Sequence, residues 1–331
     1  MRDHGAAVEV RDLVKVYPRP GGGFLRALDG VTFEVRAGEL FGFLGPNGAG
    51  KTTTLEIIEG IRKPTSGEVR VLGIDPRREL DRVKRVIGVQ LQAAAYFSLL
   101  TVEEILELFG SFYPKRRPAA ELLATVGLSD KRKAFVRHLS GGQQRRFSVA
   151  AALVNDPEVV FLDEPTTGLD PQMRRSVWEL LRRLNQDEGK TIVLTTHYME
   201  EAELLADRVA IIDQGRIRAI DTPRNLIGTL DGLGHIEFTT SSRLDAAELA
   251  RLTGVRGASA KRDGQGANGS SQAVEGVHPT VYRLQVTEPK TAVGALLDWA
   301  ASQDVELRGL EVVPGTLEDV FLQLTGRALR E

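Results

Sequence analysis

The chain has 331 residues, with 43 basic and 45 acidic side chains for a net charge of −2, so its bulk charge gives no argument for a nucleic-acid partner. It has no cysteine, which excludes disulfides and cysteine metal sites and fits a reducing compartment. Its length suits one large domain and one small one. No apolar run reaches the roughly eighteen residues that cross a bilayer, and Met1-Arg2-Asp3-His4-Gly5 lacks the apolar core of a signal peptide, so any membrane-spanning part is expected on another chain.

Residues 6 to 40 alternate apolar and polar and are interrupted by Pro18-Arg19-Pro20-Gly21-Gly22-Gly23. This predicts an antiparallel hairpin region with a flexible loop. Leu40-Phe41-Gly42-Phe43-Leu44 then reads as a buried strand. It runs into Gly45-Pro46-Asn47-Gly48-Ala49-Gly50-Lys51-Thr52-Thr53, which fits G-x-x-x-x-G-K-[ST]. Glycines let successive backbone N–H groups turn inward around an anion. Lys51 is placed to reach β- and γ-phosphates, and the Thr52 hydroxyl to coordinate Mg²⁺. A helix over Thr53-Thr54-Leu55-Glu56-Ile57-Ile58 directs its N-terminal dipole at the same point.

Val86 to Leu91 reads as a strand with two polar residues near its end, Gln90 and Gln92. Residues 95 to 155 are mostly helical, with Thr101 a plausible cap for the apolar-faced Val102-to-Leu108 helix. In Leu139-Ser140-Gly141-Gly142-Gln143-Gln144-Arg145-Arg146, Ser140 caps a helix start followed by two glycines. On local physics this is an ordinary capped helix or a second anion site with outward donors. Val159-Val160-Phe161-Leu162 ends in Asp163-Glu164. In parallel sheets ligands sit beyond the carboxyl ends of strands, so Asp163 is expected beside the phosphate loop, holding Mg²⁺ directly or through water. Glu164 could accept a proton from an attacking water or orient it. Alternating elements then follow at Ser176–Leu184, Ile192–Thr195, Glu200–Leu205 and Val209–Ile212, the βα pattern of a parallel sheet. His197 follows one of these strands at the sheet edge that Asp163 shares. Asp170-Pro171 is suited to starting a helix.

Beyond about residue 230 the pattern changes. His235–Thr239, Val281–Val286 and Val305–Val313 read as strands, and Leu244–Ala250 and Thr291–Ala301 as helices. The β-α-β-β-α-β order predicts a small α+β sandwich. Asp263 to Pro279, rich in Gly, Ser and Asn, reads as a mobile loop. No catalytic constellation is legible in this part.

In this order the motifs resemble those of the ATP-binding cassette ATPases, the nucleotide-binding subunits of transporters. Leu139-Ser140-Gly141-Gly142-Gln143 matches that family's signature and is more specific than the phosphate loop. The resemblance spans roughly residues 6 to 225. It implies that Tyr17 stacks on adenine, where the residue alone would read as a strand-end aromatic. It implies a glutamine near Mg²⁺ and the membrane contact. Gln90 competes for that role; Gln92 is preferred because it ends the strand and precedes the loop to Leu100-Thr101-Val102. Thr167-Gly168-Leu169-Asp170 fits the loop between paired subunits, in a Thr-Gly form where Ser-Ala is frequent. His197 fits the switch histidine at the γ-phosphate. The tail from Gly315 to Gly326 resembles the extension of drug- and lipid-export ATPases of the anthracycline-resistance type.

The expected fold is α/β, a P-loop NTPase cassette with a mixed-sheet core, an antiparallel β subdomain and a helical subdomain. Residues 6–228 form the ATP-binding domain and 229–331 a small C-terminal α+β accessory domain. The resemblance implies a cytoplasmic ATPase subunit, peripheral on the inner face of the cell membrane, that powers a bacterial exporter of a drug-like or lipid-like molecule. Its cofactors are ATP and Mg²⁺. Its partners are a second copy, head to tail, and a separate membrane permease; no nucleic acid is expected. In the nucleotide sandwich Ser140 and Gly142 of one copy cap the γ-phosphate held by Lys51 and Thr52 of the other. An importer ATPase and a soluble, non-transport ATPase stay open, although the single phosphate loop and the lack of a sustained heptad run speak against the latter.

Overall fold

The computed structural model describes residues 5–19, 21–91, 96–229, 234–240, 242, 244–262, 280–286, 288–313 and 315–326. Two compact units divide the chain, Met1–Pro223 and Arg224–Ala328.

The first unit holds β1 (Ala6–Pro18), β2 (Phe24–Arg36), β3 (Leu40–Leu44), α1 (Lys51–Ile58), β4 (Ser66–Val71), α2 (Leu80–Val86), β5 (Ile87–Gln90), α3 (Val102–Ser111), α4 (Ala119–Thr125), α5 (Gly141–Ala152), β6 (Val159–Asp163), α6 (Pro171–Gln186), β7 (Thr191–Thr196), α7 (Met199–Leu205), β8 (Arg208–Asp213) and β9 (Arg216–Asp221). A six-stranded sheet runs β5-β6-β7-β3-β8-β9. All its pairings are parallel except β8 with β9. Every residue of β3, β6 and β7 is buried, as expected of parallel strands covered on both faces. A separate antiparallel sheet runs β2-β1-β4, where Val8, Val10 and Val31, Phe33, Val35 point to the core. The two sheets share one core. At its centre Phe33 stacks on Phe41 at 5.6 Å and meets Phe43 edge-on at 4.9 Å. Each such ring contributes about 1.5–3 kcal/mol by leaving water. Helices α3, α4 and α5 form the helical part, and the predicted Thr101 cap is a reciprocal capping box with Glu104.

α8 (Pro223–Gly228) precedes the strands of the second unit: β10 (Gly234–Thr240), β11 (Val255–Arg262), β12 (Thr280–Val286) and β13 (Arg308–Val313), with α9 (Ala246–Leu249), α10 (Pro289–Ser302) and α11 (Leu317–Thr325). The sheet is antiparallel in the order β11-β12-β10-β13. Its core contains Ile236, Phe238, Tyr282, Leu284, Val286 and Leu296. Phe238 stacks on Tyr282 at 5.5 Å. The β-α-β-β-α-β order is present, with β11 the strand it requires beyond the three named from the sequence. β11 has no sequence counterpart above because Val255-Arg256-Gly257-Ala258-Ser259-Ala260 has few residues of high strand propensity. The predicted loop from Asp263 to Pro279 lies outside the described residues.

α6 begins at Pro171, where Asp170-Pro171 is suited to start a helix: Asp170 accepts from Met173 N at 2.9 Å and proline fits the first turn. Elements differ from expectation elsewhere: β13 begins at Arg308, three residues after the expected Val305. Val86 ends α2 and is not strand; the short Leu80–Val86 helix, with only Val83 buried, has too weak an apolar stripe to read.

Glu59, just past α1, is buried without a hydrogen-bond partner for Oε2. Burial, then the charges of Asp163 and Glu56, push its carboxyl up to about 8. The folded chain therefore keeps a proton that the unfolded chain releases near pH 4–5. Stability is full below that range and falls as pH rises towards 8, by at most about 1.4 kcal/mol per pH unit. Glu59→Gln is expected to match the parent in melting temperature at pH 5 and to melt higher at pH 8.5. Parallel melting curves for the two proteins across this range would contradict it.

Candidate functional site

The phosphate loop joins β3, at the centre of the main sheet, to α1. Gly50 sits at φ +109, and a Cβ there would lie 2.9 Å from the Ala27 carbonyl oxygen. Only glycine allows this turn. Pro46, Asn47, Gly48, Gly50, Lys51, Thr52 and Thr53 line a cleft of 320 Å³ with Ala27 and Glu164. Lys51 is 4 % exposed; its Nζ donates to the carbonyls of Gly45 at 2.6 Å and Pro46 at 3.2 Å. Burial lowers its pKa, opposed by the charges of Glu164 and Asp163. Gly45 and Ala49 flank the loop; Ala49 is buried. A cationic head beside a glycine-rich loop at a helix start is chemistry for a polyphosphate.

The acids sit where the βα pattern places them. Asp163 ends β6 and is buried. Its Oδ1 accepts from Thr52 Oγ1 at 3.3 Å and from Thr195 Oγ1 at 2.5 Å. A hydroxyl and a carboxylate converging at one edge suit a hard cation that keeps most of its water, as Mg²⁺ does. No larger cluster of metal-binding side chains occurs among the described residues.

Glu164 stands at φ +48, a left-handed conformation that costs a non-glycine residue about 1–3 kcal/mol. Its backbone N–H donates to Thr195 Oγ1 at 3.0 Å, and its Oε2 accepts from Thr167 Oγ1 at 3.1 Å. Its Oε1 lies 3.6 Å from Lys51 Nζ and 3.4 Å from His197 Nδ1. The turn thus directs the carboxylate back over the phosphate loop. Lys51, Thr52, Asp163, Glu164 and His197 meet within one site.

Other predicted residues are elsewhere. Ser140 caps α5 in a capping box with Gln143. Gly142 is buried where a Cβ would come within 2.7 Å of Met173 Sδ, so close packing of α5 on α6 requires glycine there. Neither Ser140 nor Gly142 lines the phosphate cleft. Gly141 instead lines a separate 680 Å³ cleft with Tyr96, Arg137, Thr167 and Gly168. Asp170 is the cap of α6. The Tyr17 ring has Lys15 Nζ at 5.0 Å and the Arg62 guanidinium at 5.4 Å, and Tyr17 is not among the residues lining the phosphate cleft. Gln92 lies outside the described residues. The strand ends at Gln90 and not beside Gln92 as expected; Gln90, its competitor, is buried and donates to the Leu91 carbonyl at 2.8 Å.

Two contacts are not legible in the sequence. The Thr195 hydroxyl holds both acids, donating to the Asp163 carboxylate and accepting from the Glu164 backbone N–H, and the Thr167 hydroxyl holds the Glu164 carboxylate. A threonine pair closing an apolar strand, and a buried one at that, was the available signal.

Comparison with known proteins gives concordant findings. A family profile described as ABC transporter matches residues 28–167. The daunorubicin/doxorubicin resistance ATP-binding protein DrrA of Streptomyces peucetius is 38% identical over 97% of this chain and 92% of its own length. The linearmycin resistance ATP-binding protein LnrL of Bacillus subtilis is 37% identical over 91% of this chain and 94% of its own. The Nod factor export ATP-binding protein I of Ralstonia nicotianae is 39% identical, covering 92% and 90%. Among solved structures, a dimeric ATP-binding cassette in a post-hydrolysis state bound to ADP and Pi superposes with a TM-score of 0.60 at 32% identity. It covers 65% of this chain and 98% of its own.

Proposed function

We propose, from the premise that this chain belongs to the ATP-binding proteins of ABC transporters, that it powers export of a drug-like or lipid-like molecule through a separate membrane permease. The chain is an ATPase; direction and cargo are the proposal. Their support is near full-length similarity to proteins named for daunorubicin/doxorubicin resistance, linearmycin resistance and Nod factor export. Among the described residues no helix is long and apolar enough to cross a membrane, in keeping with a subunit held on the inner face by its permease.

One observation carries the mechanism: the phosphate loop, Asp163, Glu164 and His197 form one site, while the Ser140–Gly142 helix start lines none of it. A second copy, head to tail, supplies Ser140 and Gly142 to the γ-phosphate. Asp170 lies in the loop that meets the partner, and Tyr17 stacks on the adenine. The loop amides of Gly45 to Thr53 and Lys51 bind the β- and γ-phosphates. Mg²⁺ would be held by Thr52 and Asp163, with Gln92 as a third ligand, and would neutralise charge on the β- and γ-oxygens. Glu164 takes the proton of the attacking water as its oxygen bonds to the γ-phosphorus and the bond to the β-bridging oxygen breaks. His197, 3.4 Å from Glu164, holds the γ-phosphate. Closure on ATP and release after hydrolysis give a two-state motion for the permease to use. Residues 6–228 carry this chemistry; residues 229–331 support or regulate pairing.

The test is purification of the intact complex from membranes of the native host, followed by reconstitution in liposomes. Two copies of this chain with a multi-span permease, and ATP-dependent transport away from the ATPase side, are expected. Transport in the opposite direction would make it an importer. Recovery of active ATPase with no membrane protein would remove the transport role.

A further inference from the structure

Glu201 has no part in the mechanism above, yet it is a carboxylate only 1% exposed in the first turn of α7, four residues after His197. Its Oε1 accepts from Thr166 Oγ1 at 2.8 Å and from Trp178 Nε1 at 2.9 Å. Thr166, fully buried, is two residues after Glu164; Trp178 is in the middle of α6, the helix that Asp170 caps. A second link joins the same segments, since the Arg174 guanidinium of α6 stacks on the Tyr198 ring at 4.0 Å. The segment after Glu164, helix α6 and the segment after His197 therefore meet at one buried oxygen.

We propose that Glu201 is a positioning residue for hydrolysis: it braces the turn carrying Glu164 against the segment carrying His197, and so fixes the base relative to the γ-phosphate. The inference rests on the assignment of Glu164 and His197 above. Burial pushes the Glu201 carboxyl above the usual range, against the hydrogen bonds from Thr166 and Trp178 and the charge of Arg174; its Oε2 has no hydrogen-bond partner. An acid held in so dry a place is costly unless its bonds are used. The bond that Glu201 makes to Thr166 constrains a turn already strained at Glu164. A shift of about 1 Å in a base can cost on the order of 10²-fold in rate.

The experiment is steady-state ATP hydrolysis by the full chain, with kcat and KM separated. Glu201→Ala is expected to lower kcat by about 10–100-fold and to leave the KM for ATP within about two-fold, because the phosphate loop is untouched. Glu201→Gln keeps a carbonyl oxygen that can accept both bonds, and is expected to retain most of the turnover. Thr166→Val removes one donor; it should lower kcat alone, and should add little in the Glu201→Ala background, as for residues sharing one interaction. A folded Glu201→Ala protein with parental kcat overturns the proposal, as does a loss confined to KM. If Glu201→Ala does not fold, Thr166→Val decides, and parental turnover there overturns it. Failure of the underlying assignment shows separately, as normal turnover by Glu164→Gln.

Discussion

Lys51→Ala is expected to abolish ATP hydrolysis by removing phosphate binding. Lys51 is the cation on the inner wall of the cleft, 4 % exposed, bonded to the carbonyls of Gly45 and Pro46. It brings its charge to the phosphates from a position already desolvated, where charge-assisted hydrogen bonds contribute about 1.5–3 kcal/mol each. Two such bonds amount to roughly 10²–10⁴-fold in affinity. The loop carbonyls would also lose their donor, and Glu164 Oε1 would lose the cation 3.6 Å away. Lys51→Arg should not rescue activity, because a planar guanidinium does not place its charge where the compact ammonium of Lys51 does. Nucleotide titration by calorimetry, with a phosphate-release assay, reads both effects. An unchanged rate in Lys51→Ala would end the assignment of this site.

The parts of this site that sequence made legible share a cause. Gly45 to Thr53, Asp163, Glu164 and His197 lie at the ends of fully buried strands, and a continuous apolar run followed by polar residues marks a sheet edge without knowledge of the fold. The helix caps Thr101 and Ser140 are legible because caps are local; their reciprocal bonds with Glu104 and Gln143 are seen in the structure. Residues that act across the sheet were not. Thr195 bonds to Asp163 and to Glu164 from 32 and 31 residues away, and Glu201 bonds to Thr166 from 35. Their local patterns are those of an ordinary strand end and an ordinary helix start. β11 was missed for a different reason: with Gly257, Ala258 and Ser259 in it, its pairing with β12 and not its propensity makes it a strand.

Glu164→Gln should bind ATP and hydrolyse it about 10²–10⁴-fold more slowly. The amide keeps the size of the carboxylate. Its carbonyl can still accept from Thr167 Oγ1, and its backbone N–H still donates to Thr195, so the strained turn at φ +48 should persist. The loss is of basicity: a neutral amide cannot take the proton of the attacking water. ATP then stays in the cleft, and the closed pair of subunits that needs the γ-phosphate on both faces outlives the usual cycle. Light scattering with ATP and Mg²⁺ should show the mass of a dimer for Glu164→Gln, and the mass of a monomer when nucleotide is left out. The parental protein should show little dimer under the same conditions because it consumes the ligand that holds the pair together. Normal turnover by Glu164→Gln would place the base elsewhere, with His197 the first to examine, since its Nδ1 is 3.4 Å from the same carboxylate oxygen. Slow turnover without a dimer would keep Glu164 as the base and remove the head-to-tail sandwich from the mechanism.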